Sequence, residues 1–368
     1  MKVGFYGHVR QYHDLKAELD AVILEVLESG EYVMGPMLAR FERELAAYSQ
    51  MSYAIGVNSG TDALWLSFLA LGIGPGDEVI TVANTFFATA EAIWFTGAKA
   101  VFVDIDPDTY NIDPRKIEAA ITPKTKAIVP VHLYGQMADM RAISEIAKRH
   151  NLLVVEDCAQ AIDAHGDAFA IGELSDAVCI SFIIQKNLGT FGDGGAIVTN
   201  REDIASRVRA LRNHGSVKRS YHSMGYNSRL DDLHAGILSV KLKKITEWTN
   251  RRREIAAMYT EGLKQTRLKL PCEKPGYRHV YHLYVIETPR RDAMLNYLVE
   301  AGIDAKTHYP IAIHQQEGYP WGKAADLNVN LPLTERSAAS VISLPMFPEL
   351  QQAEIDYVID TCRAWDKK

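Results

Sequence analysis

Lys186 follows the apolar run Ala177–Ile184, and a glycine-rich stretch follows it in turn, Gly189-Thr190-Phe191-Gly192-Asp193-Gly194-Gly195. An amine at the end of a buried strand is costly to keep charged, and a neutral lysine is a nucleophile that can bond a carbonyl carbon. A solvated lysine in a hairpin loop is the plain alternative. Glu156-Asp157 closes the run Leu152–Glu156, so two carboxylates stand at another strand end. An aspartate there can pair with a protonated heteroaromatic nitrogen, or simply cap a helix. Asn58-Ser59-Gly60-Thr61-Asp62 follows the run Tyr53–Val57 and opens a helix. Small residues at a helix N-terminus let N–H groups approach a phosphate, although Ser59, Thr61 or Asp62 would cap that helix equally well. Thr85-Phe86-Phe87 follows Glu78–Val82, and Phe86 offers either a flat surface for a planar ring or ordinary core.

Each signal is weak alone. Together they place a phosphate cup, an aromatic face, an acid and an amine at the ends of strands in one sheet. Pyridoxal 5′-phosphate needs that set, because it carries a phosphate, a flat ring, a pyridine nitrogen and an aldehyde.

The elements that must hold these residues alternate. Besides the runs already named, Ala98–Val103, Lys126–Val131 and Ala196–Thr199 read as strands, with helical spacing at 61–72, 86–97, 138–150 and 201–213. Alternation of this kind predicts crossover units and a mostly parallel sheet covered on both faces. The short glycine turn before Ala196–Thr199 predicts that this last strand runs antiparallel. Helical spacing also covers 14–30, 37–50 and one long amphipathic stretch from Leu230 to about Leu263. Beyond it, His282–Glu287 with helices near 291–302 and 352–365 predicts a small α+β unit, its loops punctuated by prolines.

With 368 residues, 47% hydrophobic and 23% charged, the chain suits two sizeable cores. A net charge of −6 gives no electrostatic case for nucleic acid or an anionic membrane. The clusters Lys241–Lys244 and Arg251–Arg253 are expected on solvated helix faces. Cys158, Cys179, Cys272 and Cys362 contain no CxxC pair, which argues against a zinc site or disulfide scaffold and for a reducing compartment. No apolar run approaches the roughly 18 residues of a membrane span, and the expected location is the cytoplasm.

The order of these motifs resembles the nucleotide-sugar aminotransferases of the DegT/StrS type, within the fold-type I pyridoxal-phosphate enzymes. The likeness runs from Arg10-Gln11-Tyr12 to Leu344-Pro345-Met346-Phe347-Pro348. Its most specific pieces are Glu156-Asp157, Ser181-Phe182 with Lys186-Asn187-Leu188-Gly189, Gly192-Asp193-Gly194-Gly195, Asn227-Ser228-Arg229-Leu230-Asp231 and His308-Tyr309-Pro310 with His314. It implies an α/β fold of the aspartate-aminotransferase type. Residues 1–245 would form a large domain on a mostly parallel seven-stranded sheet, and 246–368 a small α+β domain. By the same resemblance Lys186 would hold the cofactor and shuttle the proton, Asp157 would bind the ring nitrogen, and Gln160 would lie near the ring hydroxyl. Phe86 would stack on the ring, and Ser59, Gly60, Thr61 and Ser181 would hold the phosphate.

The resemblance further implies a homodimer in which Asn227 reaches the phosphate in the neighbouring subunit. Arg229 would meet the carboxylate of the amino donor, and His308, Tyr309 and His314 the sugar or nucleotide. The implied reaction moves an amino group from glutamate (or glutamine) to a nucleotide-linked keto-sugar. The loop wording favours a dTDP-3-keto-6-deoxyhexose, with UDP-linked 3-keto or 4-keto sugars as the alternative. Two other readings share the scaffold: a sugar dehydratase, whose relatives carry histidine in place of the lysine, and a non-enzymatic regulator. The sequence departs from its relatives at Ile183-Ile184-Gln185, where an aromatic residue and a proline are common, and at His234, where glutamine is common.

Overall fold

The computed structural model describes residues 1–216, 221–320 and 329–368. Seven strands form the central sheet: β1 (Tyr53–Val57), β2 (Glu78–Val82), β3 (Lys99–Val103), β4 (Thr125–Ile128), β5 (Leu153–Asp157), β8 (Ala177–Ser181) and β9 (Gly195–Thr199). A two-residue hairpin, β6 (His165–Gly166) and β7 (Phe169–Ala170), lies between β5 and β8. The sheet order is β1-β9-β8-β5-β4-β2-β3. Every pairing is parallel except those of β9, which runs antiparallel to both β1 and β8 as its short connection predicts.

The strands are apolar on both faces because helices cover both. Ile55, Val57, Cys179 and Ile197 enter one core with Leu64, Leu66, Ile93 and Ile204. Their strand neighbours Ala54, Val178, Ile180, Ala196 and Val198 enter the opposite core with Leu38, Phe41, Ile143 and Leu238. That alternation is the period-2 geometry of a strand applied to two buried faces.

A third core contains Tyr259, Tyr284, Ile342, Leu344, Val358 and Cys362. Its sheet is β10 (Tyr284–Glu287) paired antiparallel with β11 (Val341–Leu344), flanked by the helices Arg291–Glu300 and Gln352–Asp366. The periodicity reading did not find β11 or the helix Pro332–Ser340 before it, because four buried residues carry too short a pattern. The N-terminus also packs here. Val3 bridges Ile303, and the Arg10 guanidinium grips Glu354 with two 2.7 Å bonds.

Two expectations change. The Leu230–Leu263 stretch is two helices, Asp232–Leu242 and Ile245–Leu263, separated at Lys243-Lys244. The first buries every residue from Ala235 to Leu242, whereas the second buries one stripe, so the two follow different surroundings. The basic clusters are not simply solvated faces. Lys241 is 0% exposed and donates to the Gly189 carbonyl at 2.7 Å, its ammonium 4.4 Å from the Phe191 ring centroid. Arg252 is buried and donates to the carbonyls of Tyr281 and Met346 at 3.2 and 2.7 Å. Periodicity alone does not register such uses of charge, because loop carbonyls from distant parts of the chain supply the partners.

Among the described residues no helix is long and apolar enough to cross a membrane.

Candidate active site

A cavity of about 350 Å³ lies at the C-terminal edge of the parallel strands, where open α/β sheets bind ligands. Ser59, Gly60, Thr61, Phe86, Asp157, Gln160, Ser181, Lys186, His308 and Tyr309 all line it. Ten residues singled out from scattered motifs therefore converge on one space.

Lys186 sits at the tip of an extended hairpin. Beyond the β8–β9 ladder, the N–H of Phe182 donates to the Gly194 carbonyl at 2.7 Å and that of Ile184 to Gly192 at 3.1 Å; the Lys186 N–H then closes a turn onto Ile183 at 2.9 Å. The amine opens toward the cavity but protein surrounds it, and burial pushes it down to about 8, against the partial counter-pull of Asp157.

Asp157 ends β5. Its Oδ2 accepts from the Thr89 hydroxyl at 2.8 Å and its Oδ1 from the Ala159 N–H at 3.1 Å. Burial pushes this carboxyl up, opposed by those hydrogen bonds and by the charge of Lys186. Behind it, His132 Nδ1 accepts from the Ala138 N–H, so Nε2 carries the proton and donates to Glu156 at 2.7 Å.

Gln160 is oriented from both ends. Its Oε1 accepts from the Tyr134 N–H at 2.7 Å, and its Nε2 donates to the Tyr309 hydroxyl at 3.1 Å. Tyr309 faces Phe86 across 5.9 Å between ring centroids, and Phe86 is 58% exposed at the cavity edge.

At the β1 side of the cavity, Ser59 caps the helix Gly60–Ala70, its hydroxyl accepting from the Asp62 N–H at 3.0 Å. Capping and cavity lining are therefore simultaneous, and the next N–H groups, of Gly60 and Thr61, belong to a first turn that has no intrahelical acceptors. A Cβ on Gly60 would lie 2.6 Å from the Ser181 Cβ, and one on Gly195 would lie 2.2 Å from the Ser59 carbonyl oxygen. These two glycines allow the helix start to lie directly on the β8–β9 hairpin.

Three expected residues stand elsewhere. Asn227 is exposed and bridges Asn213, outside its own chain's cavity. Arg229 donates to the Asn213 side chain at 2.8 Å. His314 meets Glu335 at 3.0 Å. His234 stands beside Gly192, 3.3 Å from where a Cβ would be.

The cavity also holds Tyr6, Thr85, Thr89, Gln185, Asp193 and His282, which the motif reading did not assign to a site. His282 Nδ1 donates to the Asn187 side-chain Oδ1 at 3.1 Å, since the Asn187 side-chain Nδ2 is committed to the Val280 carbonyl. Burial and the nearby positive charges hold His282 neutral and push His308 down to about 4.

A nucleophilic lysine on a fold-type I sheet, with an aspartate, an open aromatic face and a helix N-terminus around it, defines the pyridoxal-phosphate aminotransferases. The donor set fits the cofactor: a part-neutral amine for the aldehyde, a buried carboxylate for the ring nitrogen, and free N–H groups for the phosphate. Comparison with known proteins agrees. The DegT/DnrJ/EryC1/StrS aminotransferase family profile matches residues 13–363, and the chain belongs to that family. A pleiotropic regulatory protein of Geobacillus stearothermophilus is 48% identical over 98% of this chain and 97% of its own. The dTDP-3-amino-3,4,6-trideoxy-alpha-D-glucose transaminase of Streptomyces venezuelae is 44% identical over 100% of this chain and 97% of its own. The crystal structure of S. venezuelae DesV in complex with a ketimine intermediate superposes with a TM-score of 0.97 at 44% identity, covering 100% of this chain and 99% of that one.

Proposed function

We propose that this chain transfers an amino group from glutamate (or glutamine) to a dTDP-linked 3-keto-6-deoxyhexose. The carrying observation is Lys186, an enclosed amine shifted to about 8 beside Asp157, in a chain similar along its whole length to a dTDP-3-amino-sugar transaminase. Pyridoxal phosphate supplies an electrophilic carbonyl and a ring that takes up charge from the carbon losing its proton.

The residues divide the remaining work. Near neutral pH the Lys186 amine is partly unprotonated, so it can take a proton from carbon and return it. Asp157, with Thr89 and Ala159 already on its oxygens, is fixed in orientation, and a cationic ring N–H would oppose the upward push of burial on its carboxyl. Ser59, Gly60, Thr61 and Ser181 would hold the phosphate, Gln160 would serve the ring hydroxyl, and Phe86 would offer its face to the ring. His308 and Tyr309 face the sugar.

Among the described residues that line the cavity, Lys186 is the one lysine or arginine. A nucleotide diphosphate calls for more positive charge than these lining residues carry, which supports a homodimer whose second copy contributes to the site. In that arrangement Asn227, exposed and outside its own cavity, serves the partner's phosphate, and Arg229 remains the candidate for the donor carboxylate. His314 pairs with Glu335 outside the cavity, and a substrate contact there would require that pair to open. The free cysteines support action in the cytoplasm.

A regulatory name attached to one relative does not explain an amine kept at this cost, and a dehydratase of this scaffold would carry histidine at Lys186. The test is a panel of dTDP- and UDP-linked keto-sugars offered to the pyridoxamine-loaded protein, with product masses read out. An amine-for-oxygen mass change on dTDP-3-keto-6-deoxyhexose is expected. Amination of UDP sugars alone would overturn the acceptor assignment, and no absorbance change on adding pyridoxal phosphate would overturn the enzyme.

A further inference from the structure

Tyr6 enters the cavity from the N-terminal segment, far in sequence from every motif of the site. Its backbone is held on both sides. Val3 pairs with the small unit through its N–H to the Gly302 carbonyl at 3.0 Å and its carbonyl to the Asp304 N–H at 2.9 Å. Phe5 is buried, its ring 5.7 Å from that of His308. Gly7 is pressed against Phe347, where a Cβ would lie 2.4 Å from a ring carbon.

The Tyr6 ring is packed as well. His8 stacks on it at 5.0 Å and 13°, Phe5 meets it edge-on at 4.8 Å, and the Lys306 ammonium lies 5.1 Å from its centroid. With the ring so engaged, the hydroxyl end is what remains for a ligand. No residue among those described hydrogen-bonds that hydroxyl, although the side chain is half-buried. Burial and Asp304 raise it above the usual phenol value, so it remains a donor at neutral pH.

The cofactor's requirements are met on the sheet side by Ser59, Asp157, Ser181 and Lys186. Tyr6 stands with His308 and Tyr309, supplied by the N-terminal segment and the small unit. An amino-acid donor presents carboxylates, which call for cations, whereas a hexose presents hydroxyls, which call for neutral donors and acceptors.

We propose that the Tyr6 hydroxyl hydrogen-bonds an oxygen of the acceptor sugar, making Tyr6 a specificity-determining residue for the sugar half of the reaction. This rests on the reading of the chain as a sugar aminotransferase, and the experiment separates the two. Tyr6→Phe keeps the ring and its packing. Single-turnover absorbance is followed in both half-reactions: glutamate with the pyridoxal-loaded protein, and dTDP-3-amino-3,6-dideoxyhexose with the same form. The substitution is expected to lower kcat/KM for the amino sugar about tenfold, the size of one lost hydrogen bond to a substrate hydroxyl, and to leave the glutamate value within about twofold.

A calorimetric titration provides a readout independent of turnover. The amino sugar, added to pyridoxamine-loaded protein that has no carbonyl to react with, should bind about tenfold more weakly to the variant. Equal losses in both half-reactions, or no loss in either readout, would overturn the role of Tyr6 while the aminotransferase reading stands. Failure of wild-type protein to react with either amine would overturn that reading instead.

Discussion

Burial pushes the Lys186 amine down to about 8 from an ordinary 10.5, and this has two consequences. Only the neutral amine bonds a carbonyl, so capture of added pyridoxal phosphate should accelerate as pH rises through about 8 and then level off. Stopped-flow absorbance checks this, and a rate flat from pH 6 to 9 would contradict it. The second consequence concerns stability. Between about 8 and 10.5 the unfolded chain holds more protons at this site than the folded chain, so cofactor-free protein should gain stability with rising pH there. Lys241 shifts in the same direction, so Lys186→Met should shrink the gain in urea unfolding between pH 8 and 10 without abolishing it. Asp157→Asn keeps the shape but cannot carry charge. Turnover should fall about a hundredfold while the cofactor is still captured, as expected when a preorganised charge is removed.

At the scale of elements, the site depends on how closely the helix Gly60–Ala70 lies on the β8–β9 hairpin. Gly60→Ala puts a Cβ 2.6 Å from Ser181, and either the helix start or the end of β8 must move. The variant should lose about 1–3 kcal/mol of stability, the usual cost of overpacking, and bind pyridoxal phosphate about tenfold more weakly. Thermal unfolding and absorbance titration read the two effects. Unchanged cofactor affinity would remove Gly60 from the phosphate cup. The same hairpin explains the buried Lys241: its bond to the Gly189 carbonyl holds the loop that presents Lys186.

At the scale of the whole molecule, Lys186 is the one lysine or arginine among the described residues that line the cavity, and a nucleotide diphosphate calls for more positive charge than that. Mixing Lys186→Ala with Asn227→Ala tests the completed assembly. If Asn227 serves the neighbour's cavity, mixed dimers contain one site with neither defect. Refolding an equal mixture should then restore about a quarter of the wild-type activity, with neither variant active alone. Absence of any recovery would return Asn227 to a role within its own chain.

Ser181 came from the family resemblance alone, whereas Ser59, Phe86, Asp157 and Lys186 were legible in the sequence because each follows an apolar run with the residue type that the chemistry requires. The seven-stranded sheet and its antiparallel β9 were legible for the same reason, since alternation and a short turn are properties of neighbouring residues. Tyr6, Thr89 and His282 carry no such pattern; the cavity gathers them through packing between segments distant in the chain. Lys241 and Arg252 misled for that reason too, because their spacing is that of a solvated face and their partners are carbonyls of remote loops. Residue type and local spacing thus determined which chemistry this chain could do. Tertiary structure decided which side chains surround that chemistry, because burial and partner choice depend on contacts that local spacing does not encode.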